Sequence, residues 1–233
     1  MSVYPVRLEG ELTPPLSRWL WLVKWLLLIP HFICLLFLWI TLVFATIGAF
    51  FVLLFTGRYP RGLFDWNLGV LRWTWRVSFY SYSALGTDRY PPFTLGEEPG
   101  YPARLDIAYP EQQRRGLPLI GWWLLGIPQY VLASLLSGGS VGWGHYGGGV
   151  VGLLVFVVAM LLLFQDRYPR DVFDVVMGFN RWVFRVGAYA MFMTRDYPPF
   201  RFDSGPREPV AAEEWPEPKP VDESEPAEET PEE

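Results

Sequence analysis

The chain predicts an all-α membrane protein made of two tandem repeats. Each repeat is a helical hairpin in the bilayer followed by an amphipathic helix at its surface, giving four transmembrane helices and two interfacial ones. Three observations carry this prediction. Trp25 to Gly57 and Gly116 to Gln165 contain no Asp, Glu, Lys or Arg, and charge at the centre of a bilayer is expensive, so such deserts read as membrane-embedded. Arg58-Tyr-Pro-Arg61 recurs as Arg167-Tyr-Pro-Arg170. All 19 Lys and Arg of the 233 residues fall outside the two deserts, which puts them on one side of the membrane.

The first repeat spans residues 1–100. Tyr4-Pro-Val-Arg-Leu8 alternates bulky and small or polar residues as a strand does. The apolar window Trp19–Thr56 has 38 residues. As one helix it would be about 57 Å long, against a hydrocarbon core of about 30 Å. Two spans with a tight turn at Trp39–Thr41 fit better, and Pro30 predicts a kink or a break one turn above it. The window starts too late and runs too long for the apolar core of a signal peptide, so it reads as retained. The helix after Arg58, Tyr59, Pro60 and Arg61 places Asp65, Gly69, Arg72 and Arg76 on one face, with an i, i+4 spacing for Arg61 and Asp65. Phe93-Thr-Leu95, after the Tyr90-Pro-Pro-Phe93 string, predicts a short strand.

The second repeat, 101–203, follows the same order. Tyr101-Pro-Ala-Arg-Leu105 predicts the companion strand, and the two strands together predict a small cytoplasmic sheet shared by both halves. Leu117–Leu136 and Val150–Phe164 are apolar runs separated by Ser137–Gly149, which holds seven glycines and predicts a loose hairpin tip. The second half is eleven residues longer than the first between its Pro and Arg anchors. After Arg167, Tyr168, Pro169 and Arg170, the face Asp174, Gly178, Arg181 and Arg185 repeats the first helix. Tyr197-Pro-Pro-Phe200 precedes Phe200-Arg-Phe202, a further short strand. Two hairpins of the same orientation imply a pseudo-twofold axis along the membrane normal. Residues 204–233 are Pro- and Glu-rich with little apolar content, which predicts a disordered acidic tail, repelled by anionic lipid or serving as a docking site for a basic protein partner.

The string Arg-Tyr-Pro-Arg…Phe-Asp…Arg-Trp…Arg-Val…Tyr-Pro-Pro-Phe, present here twice over residues 4–203, resembles a bacterial integral membrane family known as domain-of-unknown-function family 4389. The resemblance implies membrane insertion and carries no chemistry with it.

Chemistry is mostly excluded by what the chain lacks. Cys34 is the single cysteine, so neither an internal disulfide nor a metal cluster built on Cys pairs can form; with His31 and His145 the only histidines and far apart, no Ser-His-Asp set is arguable. No metal, no cofactor and no nucleic-acid partner is expected. The Gly-rich tip lacks the Lys-Ser/Thr pair of a phosphate loop. An enzyme would rest on Asp65 and Asp174, which neighbouring arginines make poor bases. His31 aligns with Gln129, which cannot titrate, so hydrogen bonding between helices explains both positions. Arg72, Arg76, Arg181 and Arg185 read as lipid-headgroup contacts, as ion-pair locks to Asp65 and Asp174 between the repeats, or as both. A third option makes the aromatic-basic helices dip into the membrane.

The functional expectation is a non-catalytic, multi-pass inner-membrane protein with both termini cytoplasmic. It would act as an accessory or scaffold subunit whose partners are membrane lipids, with homo-oligomerisation left open. The alternative is a small transporter or channel with His31 and Gln129 facing its path.

Overall fold

A computed structural model describes residues 4–111, 113, 124, 126–137, 149–165 and 167–207. Its elements in chain order are β1 (Val6–Gly10), α1 (Leu20–Leu27), α2 (Ile29–Thr56), α3 (Arg61–Tyr80), β2 (Ala103–Ile107), α4 (Ile127–Ser137), α5 (Gly149–Gln165) and α6 (Arg170–Ala190).

The two strands pair antiparallel in a register centred on Leu8 opposite Leu105. A two-stranded ribbon is marginal alone, and this one is completed by its helices. Val6, Leu8, Ala103, Leu105 and Ile107 are buried on one face, against α3 and α6. Arg7, Glu9, Arg104 and Asp106 stand half-exposed on the other. The expected strands at Phe93–Leu95 and Phe200–Phe202 do not form; both segments are irregular chain packed on α3 and α6.

The hairpin expected in the first window is replaced by one continuous helix. Trp39, Ile40 and Thr41 contain neither Gly nor Pro, and the Thr41 hydroxyl bonds back to the Leu38 carbonyl at 2.8 Å within the helix. The break falls instead at Leu28, between α1 and α2, where Pro30 occupies the first turn of α2. Proline there costs no hydrogen bond that the helix would otherwise make. α2 ends on Gly57 at φ 70°, whose N–H bonds the Leu53 carbonyl at 2.9 Å, a left-handed cap.

In the second repeat, α4 and α5 together take the place of α2. The buried positions of α2, namely His31, Leu35, Leu42, Ala49 and Leu53, have buried counterparts in Gln129, Ala133, Val151, Val158 and Leu162. Both α4 and α5 pack on α6, as α2 packs on α3. The Gly-rich insertion, with His145, lies outside the described residues, as does the acidic tail beyond Arg207. The expected four transmembrane helices and multi-pass arrangement are therefore not supported among the described residues. Among the described residues one helix, Ile29–Thr56 near the N-terminus, is long and apolar enough to cross a membrane, a property shared with signal sequences.

The aromatic-basic helices are also not surface helices. From Asn67 to Tyr80 every residue of α3 except Arg72 is buried, and α6 is largely covered from Phe173 to Tyr189. These two helices form the middle of three layers. Around α3, Arg72, Trp75 and Phe79 face the sheet, while Asn67, Trp73 and Thr74 bond side chains on α2, namely Thr46, His31 and Trp39. At 100° per residue these two sets lie on opposite sides of the helix. α2 thus lies on the far side of α3 from the sheet. Its own outer stripe, including Ile33, Phe37, Phe44, Phe51 and Phe55, is 54–75% exposed.

Candidate functional site

The duplicated arginines build the centre of the molecule. Arg72 donates to the Leu105 carbonyl at 3.0 Å and pairs with Asp106 at 2.9 Å. Arg181 donates to the Leu8 carbonyl at 3.1 Å, to the Gly205 carbonyl at 3.0 Å and to the Asp203 carbonyl. Leu8 and Leu105 are equivalent in the repeats and opposite one another in the sheet. Each repeat therefore grips the strand that opens the other, and an internal twofold axis passes through the Leu8–Leu105 pair. Trp75 and Phe184, also equivalent, meet each other at 5.3 Å between centroids.

The second arginine of each set holds the segment after Tyr-Pro-Pro-Phe. Arg76 donates to the Gly96 carbonyl at 2.9 Å and to the Thr94 carbonyl. Arg185 pairs with Asp203 at 2.7 Å, both side chains buried. Arg201 joins Asp203 at 2.8 Å. Burial pushes the Asp203 carboxyl up, but hydrogen bonds and charge from Arg185 and Arg201 outweigh it and hold the group below its ordinary range. Gly69 and Gly178 admit these segments. A Cβ on Gly69 would stand 3.0 Å from Leu95 Cβ, and one on Gly178 would stand 2.7 Å from the Phe202 ring.

Arg76, Arg181 and Arg185 are at most 2% exposed, and the Arg72 side chain is 20% exposed. The hydrogen bonds described for them go to backbone carbonyls and to Asp106 and Asp203. Neither Asp65 nor Asp174 takes part: Asp65 is exposed and Asp174 half-exposed, and no ion pair joins either to the arginine one turn before it. Asp106 and Asp203 are the carboxylates that sequence reasoning missed. A signal for Asp106 existed in its place beside Leu105 in a strand; Asp203 follows a string that reads as a strand and folds as a loop.

His31 and Gln129 occupy equivalent sealed positions, both 0% exposed. Trp73 Nε1 donates to His31 Nδ1 at 2.9 Å, and Trp182 Nε1 donates to Gln129 Oε1 at 2.7 Å. Gln129 Nε2 continues to the Pro198 carbonyl at 2.8 Å. His31 Nε2, by contrast, makes no hydrogen bond. His31 also stacks on Phe93 at 3.9 Å. Accepting a tryptophan N–H is what imidazole and amide share here, and for His31 it assigns the neutral Nε2–H tautomer.

The Arg-Tyr-Pro-Arg strings form corners between layers. Tyr59 and Tyr168 turn inward: Asn67 donates to the Tyr59 hydroxyl at 2.9 Å, and the Tyr168 hydroxyl reaches the Ala84 carbonyl at 2.6 Å. Pro60 and Pro169 start α3 and α6 with the same extended backbone, at φ −61° and ψ near 125°. Arg58, Arg61, Arg167 and Arg170 remain exposed, Arg61 resting over the Tyr109 ring at 4.3 Å. One buried cation belongs to the first repeat alone: Lys24 pairs with Asp88 at 2.9 Å and donates to the Thr87 carbonyl at 2.6 Å. Burial pulls its ammonium down from the usual lysine range, partly countered by Asp88. A shallow cleft of about 430 Å³ opens beside Pro5, Tyr109, Arg195 and Asp196, and no group of three His, Cys, Asp or Glu is placed for a metal among the described residues.

Fold and site together define a class: an internally duplicated protein whose paired arginines fasten two repeats around a small sheet, with apolar helices left uncovered on the opposite side. The chain belongs to the domain of unknown function family DUF4389, whose model matches residues 18–94 and 144–201, more than half of its length. No curated protein and no solved structure matches it.

Proposed function

We propose that the protein is a non-catalytic accessory or scaffold protein held on a bacterial inner membrane by the uncovered faces of α2, α4 and α5. The observation that carries this reading is the outward stripe of α2. The most hydrophobic 18-residue stretch of that helix is only 17% buried, whereas the core helix of a water-soluble protein is mostly covered. Val131, Leu135, Leu153, Phe156 and Phe164 extend the same surface onto the second repeat at 57–78% exposure. Covering a half-exposed side chain of this size gains roughly 1 kcal/mol. Over both faces the sum is on the order of 10 kcal/mol, comparable with the whole net stability of a domain. Lipid supplies that cover.

Headgroup contact is assigned to the exposed corner arginines, Arg58, Arg61, Arg167 and Arg170. Arg76, Arg181 and Arg185 are buried, and Arg72 is bonded to Leu105 and Asp106. A basic residue near an anionic surface contributes about 1 kcal/mol, so four of them give a preference for anionic lipid without deciding attachment. A transporter has no observation in its favour, since His31 and Gln129 are sealed by Trp73, Trp182 and the proline loops.

Flotation of the detergent-purified full chain with vesicles tests the proposal. The protein is expected to float with neutral vesicles, and more strongly with anionic ones. Changing the four corner arginines to Gln should remove the anionic preference and leave neutral binding. A chain that stays in the aqueous fraction in both cases has no membrane role.

A further inference from the structure

We infer that the protein sits in one leaflet only, with its internal twofold axis along the membrane normal and with α2 and the α4–α5 pair lying flat in the plane of the bilayer. This rests on the lipid-covered reading above and adds depth and orientation to it.

The first support is the direction of the helices. Trp75 meets Phe184, Phe79 meets Phe173, and Tyr168 reaches Ala84. Rising numbers on α3 therefore meet falling numbers on α6, so these helices run antiparallel. Helices exchanged by a twofold axis are antiparallel only when they lie across it. α2 folds back along α3, from Asn67–Thr46 to Trp73–His31, so α2 and its counterpart also lie across the axis.

The second support is the difference between the two poles. On the axis at one end is the outer face of the sheet, carrying Arg7, Glu9, Arg104 and Asp106. At the other end are the bare faces of α2 and of α4–α5, separated from the sheet by the whole α3–α6 layer. The exposed stripe of α2, from Ile33 to Phe55, contains no charge.

A flat bilayer that covers two symmetry-related faces either lies perpendicular to the axis or contains it. If it contained the axis, α2 would cross the membrane and the sheet would stand at mid-depth, with its four charged side chains directed at lipid tails. That position is among the most costly for charge. If it lies perpendicular, the charged pole faces water, both apolar faces enter the same leaflet, and the corner arginines come to the headgroup level. Helices with one apolar face lie at the headgroup–acyl boundary, roughly 5–10 Å deep.

Spin labels decide the matter. In the full chain with Cys34→Ala, single cysteines replace Ile33, Phe44 and Phe55, all exposed, with Arg104→Cys on the outer face of the sheet as the aqueous reference. The protein is placed in phosphatidylcholine–phosphatidylglycerol vesicles, and label depth is read from accessibility to oxygen and to a water-soluble nickel complex. The expected result is one common shallow depth for the three α2 labels. A graded profile, with Phe44→Cys near the bilayer centre and the others shallow, overturns the single-leaflet seat while leaving membrane attachment standing. Nickel access equal to Arg104→Cys at all three positions overturns both. Spin–spin broadening between molecules together with low oxygen access shows a second copy on this face and overturns the inference.

Discussion

Asp203 is the residue on which the second repeat closes. Its carboxylate joins Arg185 and Arg201 from below the surface, and removing one partner of a buried pair strands the other charge. Asp203→Asn is expected to cost about 3–5 kcal/mol in denaturant unfolding. The carboxyl binds its proton less readily folded than unfolded, so its contribution is complete above the unfolded value near 4 and disappears as pH falls through the lower folded value. Melting curves of the parent and Asp203→Asn should begin to approach one another as pH drops below about 4 and converge only below the lower folded value. At the other sealed position, His31→Gln should unfold like the parent, because Gln129 already does the same work in the second repeat. His31→Leu leaves the Trp73 N–H without an acceptor and should cost about 1–3 kcal/mol. Equal losses for both His31 variants would show that the imidazole is needed for something other than this bond. The pairing of His31 with Gln129 was legible in the repeat alignment, and so was its hydrogen-bonding role. Its partner was not, because Trp73 is reached only once α3 folds back along α2.

At the scale of elements, the repeat alignment was the most informative feature and also the source of the main error. It correctly matched α3 with α6 and β1 with β2, because their motifs are short and rigidly spaced. The hairpin went wrong because the Gly-rich insertion of the second repeat was projected onto the first, where Trp39-Ile-Thr41 offers no turn chemistry. Apolar length alone could not arbitrate, since a long helix need not stand upright. The layer position of α3 was hidden for another reason. Its arginines look like surface groups until their carbonyl partners, distant in sequence, are known. The equivalence of α4–α5 with α2 predicts that deleting eleven residues between Ser137 and Gly149 leaves a folded protein with unchanged helix content by circular dichroism. Loss of the fold would show that the insertion is part of the core. The close approach at Gly69 and Gly178 gives a second check. Alanine at either should cost about 1–3 kcal/mol, because backbone atoms of Leu95 and Asp203 stand 3.1 Å from the new carbon and cannot swing aside as a side-chain end can.

For the whole molecule, the governing fact is the twofold axis. It puts a charged sheet at one pole and bare hydrocarbon-like faces at the other, and it makes the orientation of α2 and the depth of the sheet a single question. The direct measurement is the number of labels per molecule. The double variant Ser17→Cys/Gly62→Cys, in the Cys34→Ala background, is reconstituted in sealed vesicles and treated with a membrane-impermeant maleimide. Intact masses are then recorded. Ser17 precedes α1 and Gly62 follows α2, so the two sites bracket the long apolar helix, and both are exposed. With α2 flat in one leaflet, every molecule carries either two labels or none, whichever way it was inserted. A population in which each molecule carries a single label would place the two ends on opposite sides of the membrane and contradict the account.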